Sequence, residues 1–310
     1  MPAQAKPTST PHRAGFVALL GRPNVGKSTL FNALLQKPLA ISTPKAQTTR
    51  HALLGIDNTP ACQVIYVDTP GVLSPRYLLQ KAMMQQQRHV AAGADLILWV
   101  VDTGTPAPTP QLLKLHKAAQ LPLWLVINQV DRLDEGQLAG LLQGWQQQLG
   151  SLPMLPVSAL HGQGVKALRQ AVHARLPVHP PYHPKELLTD RPLRFFVAES
   201  IRKALLERYR QELPYSTEVV VGQLNQQGKL LHIPVTLYVE RPSQQAILIG
   251  KQGKALAALG YSARVGLEAE LRSKVFLALR VQVRPSWRSS SMISRWLNML
   301  WSMISRAWAT

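Results

Sequence analysis

Between residue 16 and about residue 176, short apolar runs alternate with stretches of helical pattern, and that alternation leaves few ways to fold. FVALL, CQVIYVD, LILWVVD, LPLWLVIN and LPMLPVS are rich in Val, Ile and Leu, and each is followed by helix-compatible sequence. A strand that is apolar along its whole length must be buried on both faces, so the pattern predicts a mostly parallel sheet with helices on either side. Ligands of such sheets bind beyond the C-terminal ends of the strands, which is where the chemistry should be sought.

The proline-rich stretch PVHPPYHPKELLTDRP, residues 177–192, interrupts both periodicities and reads as a linker. After it the order is α, β, β, α, α, β. A helical stretch at about 193–210 precedes strand-like segments at about 215–222 and 230–240, two helical pieces around GKQG, and the strand-like FLALRVQV. A chain of 310 residues is long enough for two such domains, each with its own core. The expected division is a disordered lead-in at 1–14, an α/β domain at 15–176, the linker at 177–192, an α+β domain at 193–285 and a tail at 286–310.

Lys and Arg outnumber Asp and Glu by 35 to 16, a formal net charge of +19, and the C-terminal part is the more strongly basic. Polyanions are therefore the expected partners. The single cysteine, Cys62, lies in an apolar run, which excludes an intramolecular disulfide and fits a reducing compartment. FVALL is too short for a signal-peptide core and no run reaches transmembrane length, so the expected address is the cytoplasm.

Gly21, Arg22, Pro23, Asn24, Val25, Gly26, Lys27 and Ser28 form GRPNVGKS, a phosphate-loop pattern between a strand and a helix, with Thr29 following. Glycines let backbone amides wrap the phosphates, Lys27 reaches the β and γ phosphates, and Ser28 can ligate Mg2+. Asp68-Thr-Pro-Gly71 ends the next apolar run. It offers a carboxylate for the metal and, at Gly71, an amide for the γ phosphate. Between them, Gln47-Thr48-Thr49-Arg50 offers the Thr49 hydroxyl as a further metal ligand. Lys27, Thr49 and Gly71 are thus candidate catalytic residues, and Ser28, Thr49 and Asp68 the candidate metal set.

Base selection falls to Asn128-Gln129-Val-Asp131, after the run LPLWLVI. A carboxylate at Asp131 accepts from N1-H and the 2-amino group of guanine, which adenine lacks, so the expected ligands are GTP and GDP. Ser158-Ala159-Leu160 fits the loop whose amide faces the guanine carbonyl. Farther on, Ile247, Leu248, Ile249, Gly250, Lys251, Gln252, Gly253 and Lys254 form a G-x-x-G turn preceded by apolar residues. Its glycines admit a nucleic-acid backbone, its lysines add charge, and Ile247 to Ile249 are expected to floor a groove for unstacked bases. The basic stretch Arg202 to Arg210, with Lys203 and Arg208, reads as a helix with a solvated face.

Together, GRPNVGKS, QTTR, DTPG, N-x-x-D and SAL resemble the translation-factor-related GTPases. With KAQTTR, ELPYS and the C-terminal half, the chain resembles the Era family of bacterial GTPases over about residues 15–285. That resemblance implies a P-loop GTPase domain followed by a type II KH domain, GTP hydrolysis, binding of small-subunit ribosomal RNA, and work on the pre-30S particle as a monomer. It also implies a potassium ion (K+) beside Asn24, which makes Asn24 a further candidate catalytic residue. Two positions depart from related patterns: Val72 stands where Ras-like GTPases put a water-orienting glutamine, and Gln129 where the family has lysine.

The tail, PSWRSSSMISRWLNMLWSMISRAWAT, holds four of the seven tryptophans and does not resemble the family. Met292, Ile293, Trp296, Leu297, Leu300, Trp301 and Ile304 follow helical spacing beside Arg288, Arg295 and Arg306. It reads as a helix docked on the second domain or, alternatively, as a peripheral contact with the inner face of the plasma membrane. Gln129 motivates a different alternative, a passive RNA-binding protein with a degenerate nucleotide domain.

Overall fold

The computed structural model describes residues 11–43, 48–71, 78–105, 108–110, 112–113 and 122–287. Most of the lead-in, Gln47, Val72 and the tail from residue 288 lie outside the described residues.

The first domain carries strands β1 (Arg13–Gly21), β2 (Leu53–Asn58), β3 (Cys62–Asp68), β4 (Leu96–Asp102), β5 (Leu123–Asn128) and β6 (Met154–Pro156). Its described helices are α1 (Lys27–Leu35), α2 (Leu78–Ala92), α3 (Glu135–Leu149) and α4 (Val165–Arg175). The strands form one sheet in the order β2-β3-β1-β4-β5-β6, parallel except for the antiparallel edge strand β2. Successive residues of a strand point to opposite faces. Thus Val17 and Leu19 of β1 join the cluster with Phe31 of α1 and Leu168 of α4. Ala18 and Leu20 join Val90 of α2 and Trp145 of α3 on the other face. That two-sided burial is why the runs are apolar at every position, each enclosed Val or Leu contributing about 1.5–3 kcal/mol.

Strand β2, LLGIDN, is not among the apolar runs read from the sequence. Gly55 in its middle admits the α1 residues beneath it, since a Cβ there would lie 2.6 Å from the Phe31 ring. Its outer edge is covered by the proline-rich stretch. Ile56 N–H donates to the Leu188 carbonyl at 2.8 Å, Thr189 donates to Leu54, and Gln63 binds the backbone of Tyr182 and His183. The linker thus straps an edge that would otherwise expose unpaired backbone groups.

The second domain contains α5 (Leu193–Arg208), β7 (Glu218–Val221), β8 (Asn225–Gln227), β9 (Leu230–Val239), α6 (Pro242–Ile249), α7 (Lys254–Leu271) and β10 (Lys274–Val283). The sheet runs β10-β9-β7, with β8 also on β9; β10 is parallel to β9, and β7 and β8 are antiparallel to it. Leu231, Ile233, Val235, Leu237 and Val239 alternate along β9 and all enter one core with α5, α6 and α7. The body extends past residue 285, because Trp287 is buried and its indole donates to the Ser216 carbonyl at 2.9 Å. Among the described residues, no helix is long and apolar enough to cross a membrane.

Candidate functional site

The phosphate loop leaves β1 at Gly21 and enters α1 at Lys27. Asn24 and Gly26 take left-handed backbone angles, φ 66° and 88°, and α1 has no side-chain cap and no acidic residue in its first turn. Its first amides and its dipole are therefore available to an anion. Lys27 is buried, and its ammonium donates to the Gly21 and Arg22 carbonyls at 3.2 and 2.8 Å. Burial lowers its pKa to about 8, opposed by the charge of Asp68. Gly71 lies against the loop so closely that a Cβ would sit 2.7 Å from Pro23 N and 2.8 Å from Lys27 Nζ. Only glycine fits there.

Asp68 ends β3 fully buried, with one oxygen 2.7 Å from Ser28 Oγ and 3.2 Å from Thr49 Oγ1. The two hydroxyls are 2.8 Å apart. The other carboxylate oxygen, Oδ1, is buried without a hydrogen bond. Burial raises the pKa of Asp68, while Lys27, Ser28 and Thr49 pull it down. A buried carboxylate oxygen without a donor, converging with two hydroxyl ligands beside a phosphate loop, suits a hard cation such as Mg2+.

Asn128 is a brace. Its amide donates to the Val25 carbonyl at 2.9 Å, and its oxygen accepts from Ala159 N–H at 3.0 Å, tying the phosphate loop to the Ser158-Ala159-Leu160 loop. Gln129 adopts φ 66° and turns the chain so that Asp131 reaches the cavity. The Ser158 hydroxyl holds the Asp131 carboxyl below the usual carboxylate range. Asp131 is therefore an ionised acceptor at neutral pH. The resulting cavity of about 610 Å3 is lined by Pro23, Asn24, Gly26, Lys27, Ser28, Thr29, Thr49, Gly71, Gln129, Asp131 and Leu160, among others. Gly21, Val25, Asp68, Ser158 and Ala159 support it from the described neighbouring positions, and Arg22 lies exposed at the loop.

In the second domain, α6 stops at Gly250 (φ 70°) and α7 starts after Gly253 (φ 76°), with Gln252 also left-handed. A Cβ on Gly250 would meet that of Ala255 at 2.6 Å, whereas nothing lies within 4 Å of one on Gly253. An open groove of about 590 Å3 runs from the turn between α7 and β10. Its lining corrects the expectation drawn from Ile247 to Ile249. Leu248 is fully buried, Ile249 packs against the core and Ile247 is exposed outside the groove, because α6 turns its apolar face inward. The groove wall is instead Leu256, Ala257, Gly260, Tyr261 and Arg264 of α7, facing Val275 to Leu277 and Leu279 of β10. Tyr261 and Phe276 are about half exposed or more, and Arg264 sits 5.5 Å over the Tyr261 ring.

Two family models match the chain, a 50S ribosome-binding GTPase over residues 16–129 and a KH domain over residues 212–288. GTPase Era of Geobacter metallireducens is 39% identical over 284 residues, covering 90% of this chain and 95% of that protein. GTPase Era of Lactobacillus helveticus is 41% identical over 280 residues, covering 89% and 93%. The chain belongs to the Era family of GTPases.

Solved Era structures agree over both domains. That of a single-residue variant of Aquifex aeolicus Era bound to GDP.AlF4- superposes with a TM-score of 0.86 at 32% identity, over 91% of this chain and 98% of that one. Era in complex with MgGDPNP and nucleotides 1506–1542 of 16S ribosomal RNA gives 0.86 at 33%, over 92% and 98%. The architecture is therefore a P-loop GTPase domain followed by a KH domain, and the protein is a GTPase.

Within this Era-family chain, sequence reasoning missed two arginines. Arg202 is not on a solvated face: it is buried on α5, pairs with Glu199 and donates to the Thr48 carbonyl at 2.9 Å. Arg50, the last residue of QTTR, is buried and crosses to the second domain, ion-pairing with Glu218 at 3.0 Å. An arginine in a loop carries no sequence signal for a partner more than 160 positions away.

Proposed function

We propose that this chain is a GTP-dependent switch that hydrolyses GTP to GDP and phosphate, binds small-subunit ribosomal RNA and assists maturation of the small ribosomal subunit. The observation that carries the reading is the Asp68 carboxylate, with Ser28 and Thr49 converged on one oxygen and the other oxygen buried without a hydrogen bond.

In this reading Ser28, Thr49 and Asp68 hold Mg2+, which when bound supplies positive charge to the β and γ phosphate oxygens. The loop amides from Gly21 to Ser28 cradle the phosphates, and Lys27 exchanges the Gly21 and Arg22 carbonyls for phosphate oxygens. Gly71 brings its amide toward the γ phosphate. Asp131 accepts from the guanine edge, and Asn128 holds the Ser158-Ala159-Leu160 loop beside the base. With valine at position 72, no side chain there orients water. Asn24, exposed at the loop, would hold a K+ ion, which would supply extra positive charge beside the phosphates.

The groove between α7 and β10 receives single-stranded RNA, with the Gly250-to-Lys254 turn against its backbone. The protein works as a monomer on the pre-30S particle in the cytoplasm. Measuring GTP turnover in potassium and in sodium tests the enzyme half, with faster turnover expected in potassium. Absence of turnover in both salts would leave only the passive RNA-binding reading. Crosslinking in cells followed by sequencing of bound RNA tests the other half, with small-subunit ribosomal RNA expected.

A further inference from the structure

We infer that the RNA-binding domain completes the hydrolytic site of the GTPase domain, with Arg50 and Arg202 acting as positioning residues for Thr49. Thr49 sits between two anchors, and both lead into the second domain. On its N-terminal side, the Thr48 carbonyl accepts from Arg202 of α5 at 2.9 Å. On its C-terminal side, the Arg50 guanidinium donates to the carbonyls of Pro214, Tyr215 and Thr217 at 2.8, 3.1 and 3.0 Å, and to the Glu218 carboxylate at 3.0 Å. Both arginines are almost wholly buried, at 5% and 6% exposure. A fork with this many donors in a fixed plane fills that set of acceptors, and a lysine cannot.

The loop that receives Arg50 is itself held. Ser216 accepts at its hydroxyl from Gln244 at 3.0 Å and at its carbonyl from the Trp287 indole at 2.9 Å. Gln244 belongs to α6, the helix that ends at Gly250 of the RNA turn. One loop thus touches both the Thr49 segment and the helix leading to the RNA turn. Nucleotide affinity rests on other contacts, namely Lys27, the loop amides and Asp131, none of which involves these arginines. Loosening the clamp should therefore slow hydrolysis while sparing GDP binding, because Thr49 serves the metal facing the β and γ phosphates, and GDP lacks the γ phosphate.

This inference rests on the assignment of Thr49 to the metal. The test uses the full-length chain and four proteins: wild type, R50K, T49A and the double variant, compared by GTP turnover and by GDP affinity in magnesium. R50K keeps the positive charge beside Glu218, and a thermal melt checks its folding. We expect R50K to lower kcat by about tenfold or more with GDP affinity changed less than about twofold, and to add nothing further in the T49A background, as for residues acting through one another. Unchanged kcat in R50K, or full additivity with T49A, would overturn the inference. R202K, which leaves the 213–218 loop intact, provides the same comparison should R50K fail to fold. Wild-type protein without turnover, or T49A with wild-type turnover, would refute the underlying site reading instead.

Discussion

The nucleotide cavity and the groove beside the GKQG turn enclose similar volumes, about 610 and 590 Å3, but are built by opposite means. The first is assembled from buried polar groups already committed to one another: Lys27 to two carbonyls, Asp68 to two hydroxyls, Asn128 to two loops. The second is an open apolar trough with exposed Tyr261 and Phe276 and with Arg264 in its wall, reaching Gly253 of the turn that carries the exposed Lys251 and Lys254. Buried polar groups lose a full desolvation cost when a partner is removed, whereas exposed charges are screened and share their work. Single substitutions should therefore be severe in the cavity and mild in the groove.

The largest effect is expected for Asp68→Ala, which removes the carboxylate proposed to hold the metal. GTP turnover should fall by about a thousandfold, measured by phosphate release at saturating GTP. Asp131→Asn comes next: an amide cannot accept from both guanine donors, so GTP affinity should drop by roughly 30-fold, about 2 kcal/mol, with ATP binding unaffected.

The pH dependence sharpens the contrast. Lys27 titrates near 8 in the free protein, and a bound triphosphate raises its pKa, so the complex holds the proton more tightly. Affinity should be full below pH 8 and fall by up to about tenfold per unit above it. Titrations from pH 7 to 9.5 check this; a flat profile would show that Lys27 does not meet the phosphates.

In the RNA turn, Gly250→Ala must strain both φ and the Ala255 contact, costing about 1–3 kcal/mol of stability by thermal or denaturant unfolding. Gly253→Ala meets open space and should cost about 1 kcal/mol. The smallest effect is expected for Lys251→Ala: RNA affinity lower by a few-fold, and the salt slope of binding reduced by about one phosphate contact. An effect of Lys251→Ala as large as that of Asp131→Asn would break the contrast between the two surfaces.

The same contrast decides what could be read from the sequence. Strands β1, β3, β4 and β5 are legible because burial on both faces leaves a continuous apolar run. The phosphate loop, DTPG and Asp131 stand out in the sequence because a phosphate, a metal and a guanine would each demand one residue type at one spacing. β2 escaped because a glycine and two polar residues break its run, and it is a strand only by pairing with β3 and the 182–191 strap. The groove floor escaped because three consecutive apolar residues on a helix cannot all face one way, and the core claims Leu248. Arg50 and Arg202 escaped because their partners are set by how the two domains meet, which local pattern does not encode.

Equilibrium retention of guanine and adenine nucleotides by the purified protein in magnesium bears most directly on the account. It predicts that GTP and GDP are held while ATP is not, through Asp131 reading the base above a phosphate cradle centred on Lys27. Equal and negligible retention of both bases would contradict it.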